Sequence, residues 1–147
     1  MEIKEVSLCG RVAEELIDLS ADWEAEGCCY GYRKNEYADL EGNRIFLAEE
    51  GGKIIGYLFG NLRKSEGQSA VMPDGTDYFE VEELYVRPEW RSQGVGSALF
   101  RYMEAQVRPE AKYLMLGTAS KNCRGILHFY MDELGMEFWS AALFRKL

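Results

Sequence analysis

Histidine and paired cysteines, the residues that build most zinc sites, are scarce in this sequence. The 147 residues include one histidine, His128, and four cysteines, none of which forms a C-x-x-C pair. A tetrahedral zinc site needs several such ligands at short spacings, so the sequence predicts no metal site. We expect the cysteines to be reduced thiols: Cys9, Cys28, Cys29 and Cys123.

Long apolar runs are also missing. No stretch approaches the roughly 20 apolar residues that a membrane-spanning helix requires. The opening residues, MEIKEVSLCG, have no basic region followed by an apolar segment, so they do not resemble a secretory signal. We therefore expect a cytoplasmic protein without a membrane partner.

Positive charge is in deficit, with 17 lysines and arginines against 25 aspartates and glutamates and a net charge of −8. This excess of acid argues against nucleic acid as a partner, because binding to phosphates requires a basic face. It permits a cationic substrate, since negative clefts attract amines. It fits equally well an acidic surface whose only effect is solubility.

The rest of the composition is that of a globular protein, with 47% apolar and 13% aromatic residues and no repeat or linker. We expect one domain over residues 1–147. Apolar periodicity and turn residues predict a mixed α/β fold in the order β-α-α-β-β-β-α-β-α-β. The predicted strands are EIKEVSL, RIFLAEE, KIIGYLFGNLR, YFEVEELYV, KYLMLGTAS and, as one strand or a hairpin, EFWSAALFRKL. The predicted helices are RVAEELIDLSADWEAE, YRKNEYADLEG, residues 95–107 and RGILHFYMDEL, which ends at Gly135.

Glycines stand at the entrance of the third helix, in VRPEWRSQGVGSALFRYM. A helix start has backbone N–H groups without partners, and Gly94 and Gly96 would let a ligand approach them closely. Arg87 and Arg91 add positive charge nearby, and serine hydroxyls flank the glycines. The stretch matches neither the ATP-type P-loop nor the dinucleotide fingerprint. It predicts a site for a phosphate or diphosphate, although a simple glycine turn is the alternative.

The same stretch, LYVRPEWRSQGVGSALF, resembles motif A of the GNAT superfamily, the GCN5-related N-acetyltransferases. The motif is R/Q-x-x-G-x-G/A, and residues 91–96 read R-S-Q-G-V-G after the triplet Leu84-Tyr85-Val86 and Pro88. The resemblance implies a small acetyltransferase of bacterial type. Its fold would have a mixed, mostly antiparallel central sheet of six to seven strands flanked by about four helices. Its activity would be transfer of an acetyl group from acetyl-CoA to a primary amine.

The resemblance also implies which residues bind acetyl-CoA. The end of the fourth strand, Leu84, Tyr85 and Val86, would pair with the pantetheine arm like an added strand. Asn122 would contact the arm just before the last helix, or would instead cap that helix. The backbone that would hold the diphosphate is that of Arg91, Ser92, Gln93, Gly94, Val95, Gly96 and Ser97.

Direct attack of an amine on a thioester needs a general base, and the resemblance implies that the base projects from the strand YFEVEELYV. Strand alternation would put Glu80, Glu82, Leu84 and Val86 on one face and Val81, Glu83 and Tyr85 on the other. We therefore place Glu82 first and Glu80 second as the base, and Glu83 behind both. A β-bulge, which this strand often carries in the family, would reverse that alternation. Each glutamate could also be an ordinary solvated residue.

Tyr130 would be the general acid that protonates the leaving sulfur, because HFYMDELGM resembles the family's FY-x-x-x-G-F segment. Four residues separate Tyr130 from Gly135, one more than in the commonest pattern. On an α-helix one extra residue rotates a side chain by about 100°, unless a one-residue bulge absorbs it. Otherwise Tyr130 is a buried aromatic residue that packs on the sheet. The unusual spacing also favours the alternative function, a non-catalytic module that binds acyl-CoA as a sensor.

The acceptor is the least constrained part of the prediction. The first two helices combine carboxylates with tryptophan and tyrosine, which suits a small-molecule or peptide amine and suits an acidic surface equally. The apolar C-terminal segment, EFWSAALFRKL, resembles strands through which family members dimerise, so we also predict a homodimer.

Overall fold

In the computed structural model, which describes residues 1–147, five strands form one open sheet in the order β1-β2-β3-β4-β5. The first four strands are antiparallel to their neighbours, and β5 runs parallel to β4. Their bounds are β1 Glu2–Val6, β2 Arg44–Glu50, β3 Lys53–Lys64, β4 Asp77–Val86 and β5 Tyr113–Met115.

Four α-helices accompany the sheet: α1 Gly10–Glu26, α2 Tyr37–Leu40, α3 Val95–Val107 and α4 Cys123–Leu127. The last helix continues directly into a π-helix, His128–Glu133. Apolar side chains of α1, such as Leu16, form one buried cluster with one face of the sheet. Apolar side chains of α3, such as Leu99, form a second cluster with the other face. Because both faces of the central strands are covered, β2 and β3 are apolar almost continuously.

A β-bulge interrupts the pairing of β3 with β4. Phe59 pairs with Glu83 and Gly60 pairs with Val81, so that Glu82 has no partner on β3. Val81 therefore packs in the α3-side cluster, whereas Tyr85 packs in the α1-side cluster. The predicted alternation, which placed Val81, Glu83 and Tyr85 on one face, is wrong because the extra residue reverses the faces beyond it.

The pairing of β4 with β5 is short. Only Tyr78, Phe79 and Glu80 pair with β5, opposite residues 113–115. Beyond Glu80 the edge of β4 that faces β5 has no strand partner, and β4 separates from the segment that follows β5. The sheet therefore opens into a cleft between the second half of β4 and the segment that follows β5.

The predicted α/β class, the mixed sheet and the helix count are confirmed, with five strands in place of six or seven. The C-terminal strand is wrong, since residues 137–147 form no regular secondary structure and no backbone hydrogen bonds. Their aromatic side chains make separate contacts instead: Phe138 and Trp139 line a cavity beside α3 and β5, and Phe144 meets Tyr30 edge-on at 5.4 Å. The homodimer that was expected from this segment stays a prediction.

All helices of the chain are too short or too polar to cross a membrane.

The bulge yields a prediction about Gly60. A Cβ at this position would collide with the carbonyl oxygen of Glu80 and lie 2.9 Å from the ring of Phe79. We expect Gly60→Ala to lower the free energy of unfolding by about 2 kcal/mol or more, because backbone has to move to make room. Urea denaturation measures the change.

The matched control is Gly10→Ala in α1, where an added Cβ has no atom within 4 Å. Alanine is the better helix former, so this variant should be stabilised by up to about 1 kcal/mol. Equal stability of the Gly60→Ala variant and the wild type would contradict the close approach of β3 and β4 at the bulge.

Candidate active site

A cavity of about 390 Å³ lies in the cleft where β4 leaves β5. Its floor is β4 from Val81 to Val86, and its walls include Trp23 of α1, residues 28–32 and residues 116–120. Two backbone hydrogen bonds of 2.9 Å, from Tyr30 to Ala119 and from Lys121 to Cys28, join these two walls. The cavity is therefore enclosed on one side by paired loops rather than by a sixth strand.

Glu83 is a half-buried carboxylate of this cavity. Its oxygens accept hydrogen bonds from Tyr57 at 2.8 Å, from Asn35 at 3.0 Å and from Tyr32 at 3.2 Å. All three donors are neutral, and Glu83 forms no ion pair with any cation of the chain. Burial raises the pKa of Glu83 above that of an ordinary glutamate, and the three hydrogen bonds oppose part of the rise. Such a carboxylate is a stronger base than one on the surface.

The residues around Glu83 are fixed by α1. Ser20, fully buried on this helix, accepts a 2.8 Å hydrogen bond from the backbone N–H of Asn35. This bond holds the side chain of Asn35 against Glu83. Burial also raises the pKa values of Tyr32 and Tyr57, so both phenols stay protonated and act as donors.

Glu82 and Glu80, the residues that the sequence placed first and second, have a different environment. Arg63 of β3 pairs with both, at 2.7 Å from a Glu80 oxygen and 2.9 Å from a Glu82 oxygen. Both side chains are about one-third exposed, at 36% and 35%. Glu82 lines the cavity from the bulge, whereas Glu80 lies in the ladder with β5 and does not line it.

Tyr130 lies in the same cavity as Glu83. Its ring packs beside Phe129 at 5.0 Å and Phe100 at 6.3 Å, and burial raises the pKa of its hydroxyl to about 12. Tyr130 belongs to the π-helix His128–Glu133, whose wider turn takes up one additional residue. The extra residue before Gly135 is thus absorbed, as the one-residue bulge of the sequence prediction requires.

The glycine stretch forms a turn of unusual backbone conformation at the start of α3. Gly94 has φ +84° and precedes the first helical residue, and Ser92 has φ +59°, which is rare outside glycine. The backbone N–H groups of residues 93–97 donate no hydrogen bond within the chain. A Cβ on Gly96 would lie 3.3 Å from the Phe129 ring, so this glycine allows the last helix to approach. Five free amides at a helix N-terminus fit a diphosphate.

Arg91 is held away from these amides. Its guanidinium meets Glu26 of α1 at 2.6 and 2.9 Å, donates to the carbonyl oxygen of Val86 at 2.8 Å and lies 5.4 Å from the centre of the Tyr85 ring. Leu84, Tyr85 and Val86 line the cavity with their unpaired strand edge, which suits an extended arm as an added strand. Of the predicted cofactor residues, these four reach the cavity directly.

Asn122 caps α4, because its side-chain oxygen accepts from the backbone N–H of Gly125 at 3.2 Å. The capping role that the sequence allowed is confirmed, and its contact with a cofactor stays a prediction.

Sequence reasoning placed Glu83 behind Glu82 and Glu80, and it did not identify the hydrogen-bond partners of Glu83, which are Tyr32, Tyr57 and Asn35. One signal could have indicated the bulge: Gly60 stands inside the apolar pattern of β3, where an isolated glycine is typical of a bulge or a close backbone approach. The hydrogen-bond partners come from α1, β3 and the loop between α1 and α2, and no local pattern connects them.

No group of three or more histidine, cysteine, aspartate or glutamate side chains is placed to hold a metal ion.

Solved structures of N-acetyltransferases share the fold of this chain. The fold resembles a ribosomal-protein-alanine N-acetyltransferase from Brucella melitensis biovar Abortus 2308, with 19% identity, a TM-score of 0.70 and coverage of 99% of this chain and 100% of that chain. It also resembles an aminoglycoside 6′-N-acetyltransferase from Acinetobacter haemolyticus, with 18% identity, a TM-score of 0.69 and coverage of 100% and 98%. An aminoglycoside N-acetyltransferase in complex with CoA has 18% identity, a TM-score of 0.67 and coverage of 99% and 98%.

No curated protein sequence matches the chain. The model of the acetyltransferase (GNAT) family, however, matches residues 13–136, which is well over half of the sequence. The chain therefore belongs to the GNAT acetyltransferase family.

Proposed function

We propose that this protein, as one N-acetyltransferase domain over residues 1–147, transfers an acetyl group from acetyl-CoA to a primary amine by direct attack. The observation that carries the proposal is the environment of Glu83, a half-buried carboxylate with neutral donors only, in one cavity with Tyr130. This cavity adjoins the unpaired edge of β4, which leads toward the free amides before and within the first turn of α3.

Acetyl-CoA, when bound, supplies an acetyl group activated as a thioester. The amides of residues 93–97 would hold its diphosphate, and the edge of Leu84–Val86 would hold its pantetheine arm. These groups suit the ligand because an extended arm adds to a free strand edge and a diphosphate binds free amides. Arg91 would contribute less than these amides, since its backbone N–H donates to the carbonyl oxygen of Pro88 at 3.2 Å and Glu26 already engages its side chain.

Glu83 would act as the general base. It would take a proton from the acceptor nitrogen, directly or through a water, as that nitrogen forms a bond to the carbonyl carbon. We favour Glu83 over Glu82 and Glu80 because both of these are paired with Arg63, whereas Glu83 has no cation to neutralise it. Among the glutamates of β4, Glu82 is the second choice because it also lines the cavity.

Tyr130 would act as the general acid. When the bond between the carbonyl carbon and sulfur breaks, its hydroxyl proton would pass to the leaving sulfur, and solvent would then restore the tyrosine. Its pKa of about 12 keeps the hydroxyl protonated at neutral pH, which a donor requires. Burial next to Phe129 restricts the ring and so orients the hydroxyl.

A non-catalytic acyl-CoA sensor is the alternative. The extra residue after Tyr130 favoured it, and the π-helix that absorbs this residue supports the enzyme instead. Release of free CoA thiol from acetyl-CoA in the presence of a panel of amines separates the two functions. Binding of CoA, measured by calorimetry, without release of thiol on any amine would favour the sensor.

Substitution of the glutamates tests the base. We expect Glu83→Gln to lower kcat/KM by about 10²- to 10⁴-fold, the usual contribution of general base catalysis. Wild-type kcat/KM should rise with pH as Glu83 loses its proton, along an acid limb above the ordinary pKa of a glutamate, and this limb should be absent in the variant. Steady-state kinetics from about pH 4 to about pH 9 measures both effects.

Glu82→Gln and Glu80→Gln should each lower kcat/KM by less than about tenfold, because exposed ion pairs contribute little. Glu14→Gln makes the same chemical change on an exposed face of α1 and should leave the kinetics unaltered. A loss in Glu82→Gln as large as that in Glu83→Gln would transfer the role of base to Glu82.

Removal of one hydroxyl group tests the hydrogen bonds to Glu83. Tyr57→Phe deletes the 2.8 Å donor, which stabilises the charged carboxylate, so the pKa of Glu83 should rise further and the acid limb should move to higher pH. Tyr37→Phe, at an exposed tyrosine of α2, is the control and should leave the limb in place. A limb that moves to lower pH in Tyr57→Phe would contradict the assignment.

Tyr130→Phe tests the acid. We expect kcat to fall by about 10²-fold, with the affinity for CoA unchanged, because the ring and its packing stay the same. A loss of affinity for CoA in calorimetry that equals the loss of activity would show that the hydroxyl has no part in the chemistry. An unaltered kcat, under conditions in which C–S cleavage limits the rate, would show the same.

A further inference from the structure

Two of the three charged side chains that line the cavity have ionic partners within the protein. Two carboxylates and one guanidinium reach it: Glu82, Glu83 and Arg91. Glu82 is paired with Arg63 at 2.9 Å, and Arg91 is paired with Glu26 at 2.6 Å. Because Arg63 also pairs with Glu80 at 2.7 Å, it neutralises Glu82 only in part. Glu83 is the half-buried lining charge without any ionic partner.

An aromatic surface lies next to this charge. The ring of Trp23 is 4.3 Å from that of Tyr32 and 5.3 Å from that of Tyr85, and all three line the cavity. The hydroxyl of Tyr32 lies 3.2 Å from both oxygens of Glu83, so aromatic surface and carboxylate are contiguous. Arg91 already covers Tyr85 at 5.4 Å, which leaves Trp23 and Tyr32 as the surface next to Glu83 for an apolar body.

The space for an acceptor is small. The whole cavity measures about 390 Å³, toward the lower end of the range for small-molecule sites, and the thioester end of the cofactor would share it. The paired loops, with Cys29 opposite Ser120, close one side. A bulky ligand would have to separate these loops, whereas a compact one would fit inside them.

We propose that the acceptor is a compact amine with a single cationic group and an apolar, preferably aromatic, body. Its amino group would lie at Glu83, arriving as the ammonium ion and losing one proton to solvent before the attack in which Glu83 takes the second, and its body would lie against Trp23 and Tyr32. A ligand with several ammonium groups would bring further charges into the cavity, where the only other carboxylate, Glu82, is already paired with Arg63, and an unpaired charge is costly in a partly buried site. This inference rests on the proposed function, because it identifies the acceptor of that same reaction.

The test measures thiol release from acetyl-CoA with four acceptors: 2-phenylethylamine, spermidine, kanamycin and an alanine-containing dipeptide amide. We expect kcat/KM for 2-phenylethylamine to exceed that for each polycation by at least about tenfold. Trp23→Leu should raise the KM for 2-phenylethylamine by about tenfold, because the contact between the two aromatic rings is lost. The KM for spermidine, which has no ring, should change far less. Trp139→Leu, at an exposed indole outside the cavity, is the control.

Trp23 packs against the α1-side cluster, so Trp23→Phe serves as a second variant that keeps a ring if Trp23→Leu does not fold. Its KM for 2-phenylethylamine should lie between those of the wild type and the leucine variant. A preference for spermidine or kanamycin in kcat/KM, or for the dipeptide, would overturn the inference and leave the acetyltransferase function intact.

Calorimetry of amines with the CoA-bound protein separates the two proposals, since no chemistry occurs there. Binding of 2-phenylethylamine that Glu83→Gln weakens by about tenfold or more, without thiol release from acetyl-CoA, would support an amine site at Glu83 and contradict the proposed function. Absence of both binding and thiol release would overturn both. Equal binding by Glu83→Gln and wild type would overturn the position of the ammonium group.

Discussion

The bulge at Glu82 determines what the site contains. Without it, Glu83 would lie on the same face of β4 as Val81, in the apolar cluster under α3. With it, Glu83 turns toward α1, where Tyr32, Tyr57 and Asn35 supply hydrogen bonds. The bulge depends in turn on Gly60, because no side chain fits between β3 and the backbone of Glu80. The absence of a side chain at Gly60 of β3 is thus linked to the position of the Glu83 carboxylate on β4.

The short pairing of β5 has the complementary effect. Three residues of β5 pair with β4, and the two segments then diverge at the level of the bulge. The divergence exposes the edge of β4 and creates the cavity between Glu83 on one side and Tyr130 on the other. A sheet that continued its ladder to Val86 would have no such cavity. The opening in the sheet and the reversal of its faces therefore occur at the same residues.

Three glutamates lie within four positions of β4 and have different electrostatic environments. Glu80 and Glu82 share the guanidinium of Arg63, and both side chains are partly exposed to solvent. Glu83 is solvated by neutral dipoles, which stabilise the ionised form without cancelling its charge. The protein thereby keeps one carboxylate that is partly shielded from water and has no cation of the protein as its partner. A second guanidinium near the cavity, Arg91, does not reduce this charge because Glu26 holds it.

The sequence predicts those features that depend on neighbouring residues. The periodicity of α1 and α3, the turn at residues 51–52 and the glycine turn before α3 follow from local pattern, and the resemblance to the GNAT family rests on that glycine turn. The bulge is different, because it arises from the fit of β3 to β4, and strict alternation assigned Glu83 to the wrong face. The π-helix at Tyr130 likewise depends on how the last helix packs against Phe100 and Gly96. The C-terminal segment has strand-forming residues, yet its aromatic side chains contact separate elements.

The position of Glu83 relative to the thioester is measured by a crystal structure of the protein with bound acetyl-CoA, from the distances between the thioester carbonyl carbon and the carboxylates of β4. We expect Glu83 to be the nearest carboxylate, in direct contact or through one water, with the hydroxyl of Tyr130 beside the sulfur and the diphosphate on the amides of residues 93–97. A thioester that lies closer to Glu82 or Glu80, or a diphosphate bound elsewhere on the surface, would contradict this arrangement.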